Sequence, residues 1–94
     1  MAPNTNQPAK DEWLRFRELL DSQHEWPARY PFKFIVPKAE LPRLEALLEG
    51  TELTVRASKR GNYLSVSARF LARSADDIVA IYESAARIEG VISL

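Results

Sequence analysis

The stretch that decides the fold is Leu53-Thr54-Val55-Arg56-Ala57-Ser58-Lys59-Arg60-Gly61-Asn62-Tyr63-Leu64-Ser65-Val66-Ser67-Ala68-Arg69-Phe70. Apolar and polar residues alternate on both sides of its middle. Leu53, Val55 and Ala57 stand against Thr54, Arg56 and Ser58, then Leu64, Val66, Ala68 and Phe70 against Tyr63, Ser65, Ser67 and Arg69. Period two marks strands with one covered and one bare face. Between them, Lys59-Arg60-Gly61-Asn62 leaves little chain for a reversal, and Gly61 can take the left-handed backbone that a tight turn demands. The spacing predicts two antiparallel strands, over residues 51–58 and 63–72, joined as a hairpin.

Outward from the hairpin the periods change. Residues 30–36 are aromatic and β-branched, with Phe32, Phe34 and Val36 on one side and Lys33 and Ile35 on the other, which predicts another strand. Pro42 suits the first turn of a helix, Leu44, Leu47 and Leu48 form its stripe, and Gly50 ends it. Beyond the hairpin, Ser74 and Asp77 form a capping-box-like pair, the short Asp replacing the usual Glu. Ile78, Ile81, Tyr82, Ala85 and Ile88 then mark one helical face up to Gly90, and Val91 to Leu94 form a short last strand. Phe34, Val66, Ile78 and Ile81 are expected in one core.

The order βαββαβ predicts an α+β, ferredoxin-like domain over residues 28–94. Its four-stranded antiparallel sheet has the order 4-1-3-2, with two helices on one face. Upstream, residues 11–26 read as an additional amphipathic segment. Trp13, Phe16, Leu19 and Leu20 recur at helical spacing from Asp11 to Gln23, and the helix closes near Trp26-Pro27. A lone helix of that length is marginal in water, so its aromatics are expected to bury against the domain or a second copy. Residues 1–10 carry no apolar pattern and read as a disordered tail.

Composition narrows the function. A chain of 94 residues is enough for one core, and at that size only about 60 to 65% of the unfolded surface is buried, which favours a surface site over a deep enclosed one. Thirteen basic and thirteen acidic residues cancel, so the chain lacks the overall field that draws proteins to phosphate backbones or anionic membranes. With no cysteine and one histidine, the usual zinc ligand sets and a thiolate nucleophile are excluded. The polar N-terminus and the lack of a long apolar run lead to the expectation of a cytoplasmic protein.

Tyr30-Pro31-Phe32-Lys33-Phe34-Ile35-Val36, the segment from Ser58 to Ser67, Ile81-Tyr82 and the terminal Val91 to Leu94 resemble the YbeD-like family of small bacterial proteins. The resemblance covers about residues 30–94 and is most specific in the Ser-Lys-x-Gly-Asn-Tyr-x-Ser-Val-Ser hairpin. It implies a ferredoxin-like fold similar to regulatory ACT domains, with no assigned reaction.

The face left bare by the helices would display Lys33, Ile35, Thr54, Arg56, Tyr63, Ser65, Ser67 and Arg69. We take Lys33, Arg56, Lys59, Arg60, Tyr63, Ser65, Ser67 and Arg69 as the candidate partner or effector surface. Its hydroxyl row flanked by arginines suits a small anion or a partner's carboxylates, though a solvated sheet face has the same composition. Basic residues beside Tyr63 raise RNA binding as the alternative. RNA recognition modules, however, want aromatics where this chain has Asn62 and Leu64. His24 near Asp21 and Glu25 reads as a surface histidine, and Asp76-Asp77 as charge placed for the helix dipole. The expectation is a non-enzymatic regulatory or interaction module. It implies no cofactor, metal, membrane or nucleic-acid partner; a protein, a small effector or a second copy are the expected partners.

Overall fold

The computed structural model describes residues 10–58 and 61–94. Of the expected tail over residues 1–10, residues 1–9 lie outside them, as do Lys59 and Arg60, while Lys10 is helical and not part of a tail. The chain runs α1 (Lys10–Gln23), β1 (Ala28–Pro37), a 3₁₀ turn (Lys38–Glu40), α2 (Leu41–Leu47), β2 (Leu53–Ala57), β3 (Tyr63–Ala72), α3 (Ala75–Ala86) and β4 (Ile92–Ser93). The strands form one sheet in the order β2-β3-β1-β4, every neighbour antiparallel, which is the expected order read from the other edge. The α+β ferredoxin-like arrangement therefore holds, with α1 added in front.

The central pair is longer than the alternation alone indicates. β1 and β3 match over ten residues each, from Ala28 opposite Ala72 to Pro37 opposite Tyr63. Two prolines inside a central strand would normally forbid this. Here the Lys38 N–H donates to the Asn62 carbonyl at 3.0 Å, which fixes the alternation. Even-numbered β1 residues bond towards β3, and Pro31 and Pro37 turn their missing N–H groups towards the β4 side. The β4 rungs stop at Phe34 opposite Ser93 and Ile35 opposite Ile92, with Leu94 N–H donating to the Lys33 carbonyl at 2.9 Å. Neither proline faces a ladder partner that needs its hydrogen.

Phe32, Phe34, Val36, Leu64, Val66 and Ala68 share one face of the sheet and are buried with Leu44 and Leu48 of the α2 region and with Ile78, Val79, Ile81 and Ala85 of α3. The expected core of Phe34, Val66, Ile78 and Ile81 is thus present. α3 starts as its sequence indicated: the Asp77 N–H donates to Ser74 Oγ at 3.4 Å. The shorter Asp77 side chain in turn accepts from the Arg73 N–H at 2.9 Å, one residue before the cap. At the hairpin, Gly61 has φ of 73° and its N–H donates to the Ser58 carbonyl. Gly90, with φ of 78°, ends the α3 region, and a Cβ there would stand 2.7 Å from Pro37 Cγ.

Two sequence expectations need correction. Val55 and Ala57 do lie on the helix side of the sheet, Val55 directly opposite the buried Val66, yet both are exposed. The helices lie over β3, β1 and β4 and leave the edge strand β2 uncovered. Leu19, placed in the α1 apolar stripe, is 40% exposed, whereas Trp13, Phe16 and Leu20 are buried.

α1 is held by Tyr82 of α3. The Tyr82 ring stacks on Trp13 with centroids 6.3 Å apart and meets Phe16 edge-on at 5.7 Å and Phe32 at 4.9 Å. Its hydroxyl is 3.0 Å from that of Tyr30. Arg17 and Asp76 add an ion pair at 2.8 Å, too exposed to contribute much. No described helix is long and apolar enough to cross a membrane.

Burial first, and the Tyr30 hydroxyl second, push the Tyr82 phenol well above its ordinary range. Folded protein therefore keeps a proton that the unfolded chain releases above about pH 10. Where the folded state binds more protons, stability falls as pH rises, by up to about 1.4 kcal/mol per pH unit for one group. Tyr82→Phe is expected to cost about 0.5 to 1.5 kcal/mol at neutral pH through the lost hydrogen bond. Denaturant titrations between neutral pH and pH 11 should show parent and variant converging as pH rises.

Candidate functional site

The sheet register assigns each open-face side chain to a rung. Thr54, Ser67 and Lys33 form one rung, and Arg56, Ser65, Ile35 and Ile92 the next. Towards the other end, Arg69 lies opposite Pro31 and Leu71 opposite Arg29. Tyr63 lies opposite Pro37 at the hairpin end, 46% exposed.

An open groove of about 760 Å³ crosses the Thr54 and Arg69 rungs. Its floor is the β1 and β3 backbone around Phe32 and Ala68, and the segment Gly50-Thr51-Glu52, leading into β2, forms one wall. The charged groups on it are Arg29, Lys33, Arg69 and Glu52; the hydroxyls are those of Thr51, Thr54 and Ser67. Arg29 reaches diagonally over the sheet, its Nη1 donating to the Arg69 carbonyl at 3.5 Å. Three cations against one carboxylate give the groove a local positive field that the neutral chain as a whole lacks.

Of the residues expected from sequence, Lys33, Ser67 and Arg69 meet in this groove. Arg56 and Ser65 stand one rung away towards the hairpin, and Tyr63 lies at the far end. Lys59 and Arg60 lie outside the described residues. Arg29 was missed because the aromatic run suggested a strand starting at Tyr30. The period-two series Arg29, Pro31, Lys33 would have found it. Thr51 and Glu52 come from a connection rather than from the alternating core of β2, and no periodic signal marks them.

Other groups with chemical potential are absorbed by structure. His24 stacks on Trp26 with centroids 5.4 Å apart, and its Nδ1 lies 3.1 Å from the Leu20 carbonyl at the end of α1. Asp77 serves the α3 cap and Asp76 pairs with Arg17. Among the described residues no group of three His, Asp or Glu side chains is close enough to hold a metal ion.

Fold and surface together define a small ferredoxin-like α+β domain with one sealed and one bare sheet face. Within that class the chain belongs to the DUF493 family, described as a protein of unknown function, whose model matches residues 21–94. This fits the YbeD-like resemblance, and the match begins upstream of it, taking in Trp26-Pro27 while leaving most of α1 outside. A UPF0250 protein of Shewanella sp. (strain ANA-3) is 34% identical over 84 residues, which covers 82% of this chain and 91% of the relative. A UPF0250 protein of Shewanella amazonensis is 35% identical over 79 residues, covering 77% and 90%. No solved structure matches the chain.

Arg29 and Arg69 are exposed and support no core contact, so Arg29→Ala and Arg69→Ala should each change folding stability by less than about 0.5 kcal/mol. Thermal denaturation of the two variants checks this; a larger loss would make the groove arginines structural.

Proposed function

We propose that the chain is a non-enzymatic regulatory or interaction module whose open sheet face takes a small anionic effector or the carboxylates of a partner protein. The observation that carries the reading is the convergence of Arg29, Lys33 and Arg69 with the Ser67 and Thr54 hydroxyls in one open groove. Arginine offers two parallel N–H donors to a carboxylate, lysine a compact charge, and hydroxyls complete the donor set. Such a surface binds and releases. Chemistry would need a nucleophile activated by an adjacent base; what supports binding instead is a donor set of three cations and three hydroxyls against a single described carboxylate, Glu52.

RNA binding is the weaker alternative. Single-stranded bases need exposed aromatics to stack on. On the open face, Tyr63 is the sole described aromatic, and the rungs beside it carry Ser65, Ser67 and Lys33.

The test is a titration of isotope-labelled protein with citrate, a tricarboxylate, and separately with a single-stranded oligoribonucleotide, each at several salt concentrations. Citrate is expected to give saturable shifts in the amides of Arg29, Tyr30, Phe32 and Lys33 and of residues 51–54 and 67–69, with affinity falling about tenfold in Arg69→Ala through the lost charged hydrogen bonds. Absence of saturable citrate shifts, or shifts centred elsewhere, would overturn the reading. Steeply salt-dependent oligonucleotide binding centred on Tyr63 would replace it with the alternative.

A further inference from the structure

The edge strand β2 is unprotected. Natural sheets guard such an edge with lysine, proline, a bulge or a covering element, because its unpaired N–H and C=O groups invite another strand. Residues Leu53 to Ala57 contain no proline and no lysine, and no described helix covers Val55, which is 40% exposed. At the opposite edge β4 offers only two residues.

The free groups on this edge can be named. Ser58 N–H donates to the Tyr63 carbonyl at 3.0 Å, so the even-numbered residues 54 and 56 also bond towards β3. Leu53, Val55 and Ala57 therefore turn their backbone N–H and C=O groups outwards. Any antiparallel partner strand must meet them with outward-turned groups of its own, which for a second copy of β2 allows only registers pairing odd-numbered residues with odd.

We propose that β2 pairs with β2 of a second copy about a two-fold axis at Thr54, joining the two sheets into one of eight strands. In this register Leu53 faces Val55 of the second copy, and Val55 faces its Leu53, which makes four backbone hydrogen bonds and covers the exposed valine. On the open face Glu52 comes opposite Arg56 of the second copy, twice. A shift of two residues one way sets Arg56 against Thr54; a further shift sets the two Arg56 residues against each other. Charge complementarity thus selects the axis at Thr54. The pairing also bears on the groove. Glu52 is its one described carboxylate, and Arg56 of the second copy would neutralise it, leaving the three groove cations unopposed. That consequence rests on the anion-binding reading; the pairing itself does not.

Sedimentation velocity of the full chain over a concentration series tests the pairing without any ligand. A reversible dimer is expected. Glu52→Arg or Arg56→Glu alone sets like charges opposite each other at two places and should weaken the dimer about tenfold or more. The double swap should restore it. Val55→Pro should abolish dimerisation without breaking the β3 ladder, since the N–H it removes points outwards. Thermal melts of each variant verify folding; if Val55→Pro melts early, the swap series still decides. A chain that stays monomeric throughout, a dimer indifferent to both single swaps, or a double swap that fails to restore it would overturn the proposal. Citrate binding in the monomer would leave the groove reading standing.

Discussion

Tyr82 joins everything that the helical side of the sheet depends on. Its ring is shared by Trp13 and Phe16 of α1 and by Phe32 and Phe34 of β1, and its hydroxyl reaches Tyr30 at the start of the same strand. A phenol is well suited to this place. The ring buries large apolar area and meets its neighbours edge-on, which the aromatic quadrupole favours, while the one polar atom is satisfied by a second tyrosine. A phenylalanine would fill the volume and orphan Tyr30; a smaller residue would leave α1 with nothing to stack on. α1 is thereby made part of the domain, although an isolated helix of its length would hardly persist in water. With that face sealed by aromatic rings, the bare face and the edges are the parts of the sheet left open to solvent.

Pro31 and Pro37 shape those remaining surfaces. Both turn their nitrogens towards the β4 side, so a longer strand paired there would meet two positions without an N–H; β4 itself pairs only at Phe34 and Ile35. Near Pro31 the open face carries the Arg29, Lys33 and Arg69 cluster with no described strand beside it on that edge. The other edge has no such restraint. β2 presents a regular run of outward backbone groups flanked by Glu52 and Arg56, an arrangement complementary to itself. Packing on one face, proline placement along β1 and the bare β2 edge together account for where charge and unpaired backbone are found.

Much of this was legible in the sequence because it depends on local period. The alternation on either side of Gly61 gave the hairpin, Ser74 with Asp77 gave the start of α3, and Trp13 with Phe16 indicated that α1 had to be buried. Burial itself was less legible where it depends on which strand lies at the edge: Val55 and Ala57 carry the same alternation as Val66 and Ala68 but have no helix above them. The groove was half legible. Lys33, Ser67 and Arg69 follow from alternation, whereas Arg29 depends on the β1 and β3 register extending to Ala28 opposite Ala72, and Glu52 on the path of a connection. Long-range register and loop path are tertiary properties, and no short-range pattern encodes them.

The claim on which the rest stands is that α1 is integral to the closed face. Equilibrium unfolding of Phe16→Ala in guanidinium, followed by tryptophan fluorescence and by far-ultraviolet circular dichroism, tests it most directly. Phe16 is 4% exposed and edge-on to Tyr82, so the expected result is one cooperative transition, coincident by both probes, with stability lower by about 3 to 5 kcal/mol. A loss near zero, or an early fluorescence change separate from the main transition, would mean that α1 lies loosely on the domain and that the helical face is open to partners after all.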